Sequence, residues 1–328
     1  MMTDRLDNDY DVVVIGGGAA GLNGALMLAR ARRTVAVIDD GRPRNAPATG
    51  VHGLLAREGT PPAELLRRGQ DEARGYGAHL VTGQVKAAFR DGDGFTVELA
   101  DDRTTRARRL LVTTGLVDEL PDVPGLRQQW GHGVVHCPYC HGWEVRDQAI
   151  GVLASSPMSV HQALLFRQWS ADITFFTHTM APPTPQEAER LAARDITVVD
   201  GKVTALETTD GHITGVRLET GTVVPRQVVA VATHMVARAA FLTPLGLHTT
   251  RHPSGMGEYI TCDATGRSDV PGVWVAGNVT DMSAQVGAAA AAGAAAAAQI
   301  NADLIDTETD SAVAAHRDAL ATASSADR

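Results

Sequence analysis

Cys137 and Cys140 stand two residues apart, with His141 directly after, in the stretch "VHCPYCHGWEV" (135–145) of a chain with one other cysteine, Cys262. A CxxCH run admits three chemistries: c-type haem attachment, half of a zinc site, or a redox dithiol. In the third, a thiolate attacks disulfides or flavins, and its formation is favoured by a nearby base or a helix N-terminus. His141 suits that role, because an imidazole that titrates near neutrality can take a proton from an incoming thiol and return it. His136, ahead of Cys137, is a second candidate base; the competing reading of both is a structural histidine. Zinc would need two further ligands, and although His132, His136, His141 and Cys262 are available, no second paired-ligand motif has zinc spacing.

A second constellation lies near the N-terminus. "YDVVVIGGGAAGLNGALMLARARRTVAVIDDG" reads as strand, glycine turn, helix and strand, with Gly16, Gly18 and Gly21 in GxGxxG register and Asp39 ending the second strand. Gly16 permits the tight turn, Gly18 lets backbone approach a pyrophosphate at the helix N-terminus, Gly21 allows close helix–strand packing, and Asp39 can accept from a ribose hydroxyl. From about Gln148 the pattern returns in "QAIGVLASSPMSVHQALLFRQWSADITFFTHT", but its three small-residue slots fall at Ala154, Ser156 and Ser159, with Pro157 inside the turn. Side chains and a missing N–H stand where a pyrophosphate needs bare backbone. "THTMAPPTPQ" then offers no arginine for a 2′-phosphate and no acid for a free ribose. The nucleotide fold is kept and the nicotinamide site is lost.

These motifs must be carried by two α/β units. "RRLLVTTGL" (109–117) and "RQVVAVATH" (226–234) are buried-type strands in similar positions, and "VDELPDVPGL" and "MVARAAFLTPLGL" read as the two crossings of a hinge. The layout predicts two Rossmann-like (three-layer ββα) domains, the second inserted in the first: 1–118 plus 245–328, enclosing 119–244. At 328 residues and 44% hydrophobic content the chain can bury both cores, and a net charge of −9 argues against nucleic-acid or anionic-membrane partners. The acidic N-terminus "MMTDRLDNDYDVVVIGGG" is unlike a signal peptide, so a cytoplasmic protein is expected. "VGAAAAAGAAAAAQI" is too short and too poor in large apolar residues to be read as a membrane span.

The N-terminal GxGxxG unit, the TTG strand, the CxxC at the head of the inserted unit and "VPGVWVAGNV" together resemble the low-molecular-weight thioredoxin reductase family over nearly the whole chain. That resemblance implies FAD on the first unit, held by Gly16, Gly18, Ala19, Ala20, Gly21, Asp39, Asn45, Val85, Thr114, Gly115, Gly277, Asn278, Gln285 and Val286. It also implies a homodimer, with Cys140 as the flavin-facing sulfur and Cys137 as the interchange sulfur. Three departures stand out: Asn278 where the family has aspartate, His141 where the usual CxxC is followed by aspartate, and the eroded nicotinamide turn. The last two are shared with FAD-dependent dithiol oxidases of disulfide natural products, the relatives of the gliotoxin and holomycin enzymes, and "CPYCHGWE" is similar to their active-site segment.

With a flavin fold and a cytoplasmic start, haem attachment loses its context and the CxxC is read as a redox pair. The expected activity is oxidation of a small-molecule dithiol, with O2 as acceptor and hydrogen peroxide as product. Two rivals are a disulfide reductase fed by ferredoxin or another carrier, and a flavoprotein without turnover. The helix that "SAQVG" (283–287) begins is expected to point its N-terminus at the flavin pyrimidine edge, its small residues packing on the glycine helix. Cys262 is expected to be a buried residue in a strand. Trp143, Trp169, Phe166 and Phe175 are left between core and substrate pocket.

Overall fold

In the computed structural model, which describes residues 5–326, the first unit is built on a seven-stranded sheet. Asp9–Ile15 lies parallel between Val35–Asp39 and Thr104–Val112, with His79–Thr82 outside Val35–Asp39 and Val273–Val275 paired with the end of Thr104–Val112. Val85–Asp91 and Gly94–Leu99 extend the sheet as an antiparallel flap on the first half of Thr104–Val112. The unbroken apolar runs "VVVI" and "VAVI" suit strands covered on both faces, and separate apolar clusters do lie on the two sides of this sheet.

The glycine helix Ala19–Arg30 packs against the C-terminal helix Val286–Ala326. The two approach so closely that a Cβ at Gly293 would overlap the Ala20 carbonyl, and one at Gly24 would fall 3.1 Å from the Gly293 carbonyl oxygen. Asn23 fastens the crossing by donating from Nδ2 to the Ala290 carbonyl at 2.8 Å. The C-terminal helix is far longer than its alanine run, at 41 residues. It meets the length and composition needed to cross a membrane, yet Ala289, Ala296, Ala297, Ile300 and Leu304 are buried in the first unit's core.

The inserted unit has a parallel sheet in the order Thr197–Val199, Ile173–Phe176, Ile150–Leu153, Val228–Val231, Val134–Val135. A three-stranded antiparallel sheet from Val203 to Val224 covers one face and the helices Ser159–Phe166 and Pro185–Ala192 the other. The two crossings pair with each other: Leu116–Glu119 runs antiparallel to His234–Ala237, with Asp118 opposite Met235. The first unit's core takes in Ala237, Ala239 and Leu242 from the return crossing.

Candidate active site

The strand Val134–Val135, held parallel to Val228–Val231, delivers His136 and Cys137 from the edge of the inserted sheet. Cys137, in extended conformation, caps the one-turn helix Pro138–His141, so that Cys140 folds back over it. The two are free thiols with sulfurs 2.7 Å apart, close enough for a disulfide to form with little movement. The hydrogen bond from the Cys140 thiol, aided by backbone N–H groups and the Arg44 charge, brings the Cys137 pKa down to about 7 against the effect of burial. Cys140 moves the other way, because its proton is held by the Cys137 sulfur and burial disfavours a second anion. The reduced pair therefore ionises at Cys137.

Two histidines flank the pair. His136 Nδ1 lies 3.1 Å from the Val231 carbonyl, and its own carbonyl accepts from Gln162 Nε2 at 2.7 Å. His141 Nδ1 is buried without a partner. Burial lowers both histidine pKa values, opposed by Asp118 at His136 and by Glu144 at His141, so both are neutral bases in the physiological range. Glu144 lies 3.5 Å from His52, whose other ring nitrogen is 2.6 Å from Glu58, joining the CxxC segment to a loop of the first unit.

The pair opens onto a cavity of about 1180 Å³ that runs across both units. Its first-unit wall includes Gly16, Gly18, Ala19 and Ala20 from the glycine turn, Asp39, Asn45 and Val85 beside it, Thr114 and Gly115 from the TTG strand end, and Gly277, Asn278, Gln285 and Val286 from the C-terminal segment. Gly21 lies behind that wall, where a Cβ would overlap the Gly16 carbonyl. Gly16 has φ +107°, and a Cβ there would sit 2.5 Å from the Thr113 carbonyl oxygen. At Gly18, by contrast, a Cβ would meet nothing within 4 Å, and no side chain caps the helix that begins there. Open backbone at an uncapped helix N-terminus is what a pyrophosphate needs. Asp39, accepting from Gly17 N–H at 2.5 Å and Gly41 N–H at 2.7 Å, stands beside it for a ribose.

Asn278 has a reason to be an amide. Its Nδ2 donates to the carbonyls of Asp281 and Ala284, both at 2.9 Å, and so shapes the turn into the C-terminal helix; a carboxylate could not donate.

The inserted unit's glycine-less turn is built differently. Ser159 Oγ accepts from the N–H groups of Ser155 and Ser156 at 3.1 and 3.2 Å, while Ser155 Oγ donates to the Ala232 carbonyl at 2.6 Å. Donors that would hold a pyrophosphate are thus engaged within the turn. The helix that follows instead sends Met158, His161, Gln162 and Leu165 to the wall of the cavity shared with the cysteines.

One residue sits elsewhere than its local sequence suggested, and four aromatic residues left open between core and pocket are placed. Cys262 is exposed in a loop beyond the strand Gly257–Tyr259, 3.2 Å from Thr280 Oγ1, and is neither buried nor in a strand. Phe166 and Phe175 are core, Trp169 meets Tyr139 edge to face at 5.8 Å and braces the CxxC turn, and Trp143 is exposed beneath Arg146. Sequence reasoning missed Arg44, whose guanidinium makes a bidentate pair with buried Asp118 at 2.6 and 2.7 Å, and Thr233, which donates to the same carboxylate at 2.6 Å. It also missed the wall formed by Met158, His161, Gln162 and Leu165. The spacing of Arg44, Asp118 and Thr233 along the chain carries no signal, and that of Met158, His161, Gln162 and Leu165 marks one helical face but not the cavity it meets.

A doubly wound dinucleotide-type cradle facing a CxxC pair defines a class, and residues 10–308 match the pyridine nucleotide-disulphide oxidoreductase family, to which this chain belongs. It is a thioredoxin reductase-like flavoprotein oxidoreductase. Thioredoxin reductase tcpT of Claviceps purpurea is 30% identical over 83% of this chain and 87% of its own. The crystal structure of HlmI superposes with a TM-score of 0.89 at 44% identity, covering 96% of this chain and 98% of that one. An oxidoreductase from Agrobacterium tumefaciens gives a TM-score of 0.85 at 32% identity over 90% of this chain and 99% of that one.

Proposed function

We propose that the chain is an FAD-dependent dithiol oxidase, which closes a disulfide in a small-molecule dithiol of natural-product type, with dioxygen as final acceptor and hydrogen peroxide as product. The observation that carries this reading is the contrast between the two turns: open at Gly18 in the first unit, filled by Ser159 in the second. With no place for a nicotinamide nucleotide, electrons enter from the substrate side. The HlmI likeness and the CPYCHGWE segment support the same direction. A homodimer is part of the proposal, by family resemblance.

His141, kept neutral by burial, takes the proton of one substrate thiol. The resulting thiolate attacks Cys137 of the enzyme disulfide and displaces the Cys140 sulfur. The second substrate sulfur then attacks the first, the substrate disulfide closes, and Cys137 leaves as thiolate. A leaving thiol with a pKa of about 7 departs readily, which favours Cys137 as the interchange sulfur. Two electrons have passed to the cysteine pair; of the two substrate protons one is on His141, to be released to solvent, and the other on Cys140, whose pKa is raised. Bound FAD supplies the two-electron relay from that pair to dioxygen.

The test is anaerobic mixing. Small dithiols should bleach the flavin, air should restore it with one peroxide per disulfide, and NADPH or NADH should leave it oxidised; rapid bleaching by either nucleotide overturns the reading. Exposed Tyr139 and Trp143 beside the pair favour a second reading, a disulfide reductase fed by a protein carrier. Reoxidation that is slow with dioxygen, together with fast reduction of the oxidised flavin by reduced ferredoxin, would select it.

A further inference from the structure

From 305 to 326 the C-terminal helix runs on for about 33 Å, and every side chain from 305 to 323 is exposed. A lone helix of that length is marginal in water, where most helices owe their stability to an apolar face that packs on something. This stretch carries such a face. Ile305, Thr309, Ala312, Val313, His316 and Leu320 recur at helical spacing on one side, yet Ile305, Val313 and Leu320 are 46%, 40% and 58% exposed. All but Leu320 border a shallow groove, together with Glu308. The face is complementary to itself when reversed. Turning a second copy end for end and setting Ala312 against Val313 also sets Ile305 opposite Leu320, Thr309 opposite His316 and Glu308 opposite Arg317. Apolar side chains then meet apolar ones, a hydroxyl meets an imidazole, and an acid meets a base. Arg33 and Arg108 both bond Glu308 at Oε1, at 2.6 Å, which steadies that carboxylate at the border of the stripe.

We infer that residues 305–320 pair antiparallel with the same residues of a second copy of this chain, about a two-fold axis that passes between Ala312 and Val313. Such an interface is isologous, so one self-complementary stripe supplies both of its sides. The inference goes beyond the homodimer that family resemblance implies, because that resemblance names no surface. It is also independent of the direction in which electrons cross the cysteines, since the cavity draws Val286 and Ala289 from this helix, at its other end. A lipid surface fits the face less well: Asp306, Glu308, Asp310 and Asp318 accompany the stripe, where a helix lying on a membrane carries lysines and arginines.

Sedimentation of the full-length holoprotein over a dilution series measures the pairing. Val313→Glu keeps a good helix former and brings two carboxylates together at the axis. It should raise the dimer dissociation constant at least about a hundredfold, the scale of withdrawing two valines from an interface, while an unchanged flavin content shows the fold intact. Cross-linking gives a second readout, with Cys262→Ser removing the exposed cysteine and the Cys137–Cys140 pair kept oxidised. In that background a short bismaleimide should join Ala312→Cys into a covalent dimer. It should not join Ala314→Cys, on the opposite side of the helix, nor Leu320→Cys, which only a parallel pair brings to its own copy. A dimer that Val313→Glu leaves intact, or Ala312→Cys that does not link, keeps the homodimer and removes this face from it. Linking of Leu320→Cys to itself overturns the antiparallel arrangement. A monomeric wild type overturns the inference and the homodimer together, and flotation of that monomer with phosphatidylcholine vesicles would assign the face to lipid.

Discussion

Cys137 and Cys140 differ in their surroundings more than their adjacency suggests, and that difference is testable. The Cys140 pKa is raised because the Cys137 anion sits beside it; Cys137→Ser removes that anion and should leave Cys140 as a lone thiolate, giving a long-wavelength absorbance with oxidised flavin. Cys140→Ser should lack the band, and both variants should lose turnover; the opposite spectral pattern would reverse the assignment. At His141, burial lowers the pKa, so the neutral base prevails at pH 7 and the wild-type dithiol rate should fall only below about pH 6.5 as the ring protonates. His141→Ala should slow the dithiol half-reaction by about 10²–10⁴-fold near neutrality. The deficit should shrink as pH approaches about 8.5, where substrate thiols ionise unaided. Anaerobic stopped-flow bleaching across that range measures it, and a wild-type rate in the variant would leave the histidine structural.

At the scale of elements, the crossing of the two long helices is set by glycines. Gly293→Ala would drive a Cβ into the Ala20 carbonyl, so the helices must part. Overpacking of this kind costs about 1–3 kcal/mol, and because Ala20 is in the first turn of the glycine helix, flavin retention should fall with the melting temperature. Ser159→Ala strips the acceptor from two turn N–H groups; it should destabilise by about 1–3 kcal/mol and still give no NADPH oxidation, since Pro157 and the serine side chains remain. These elements were legible in the sequence because their signals are local: a glycine register, two apolar strands, an acid at a strand end. The length of the C-terminal helix was not, because from 305 to 323 its residues are exposed and show no buried stripe to read. Cys262 was misread because "EYIT" has β character while the strand stops at Tyr259. Arg44, Asp118 and Thr233 were invisible as a group, since only the fold unites a loop of the first unit with both crossings.

For the whole molecule, the question is how two units stay in register around one cavity. Arg44 is anchored in the first unit, Asp118 in the outgoing crossing and Thr233 just ahead of the return crossing, and the three meet at one buried carboxylate. Burial alone would raise the Asp118 pKa, but the Arg44 bond and charge hold it below the usual range, so the pair stays ionised at any pH where the protein works. Removing one partner of a buried pair of this sort costs about 3–5 kcal/mol because it strands the other charge, so Arg44→Met should loosen the register that the intact pair is expected to hold. Small-angle scattering should accordingly give the same profile with and without dithiol or NADPH, and turnover should be insensitive to added viscogen beyond its effect on diffusion. The carboxylate at Asp118 thus makes the protein a fixed jig: every reactant comes to one stationary bench, and no moving part has to keep time with the chemistry.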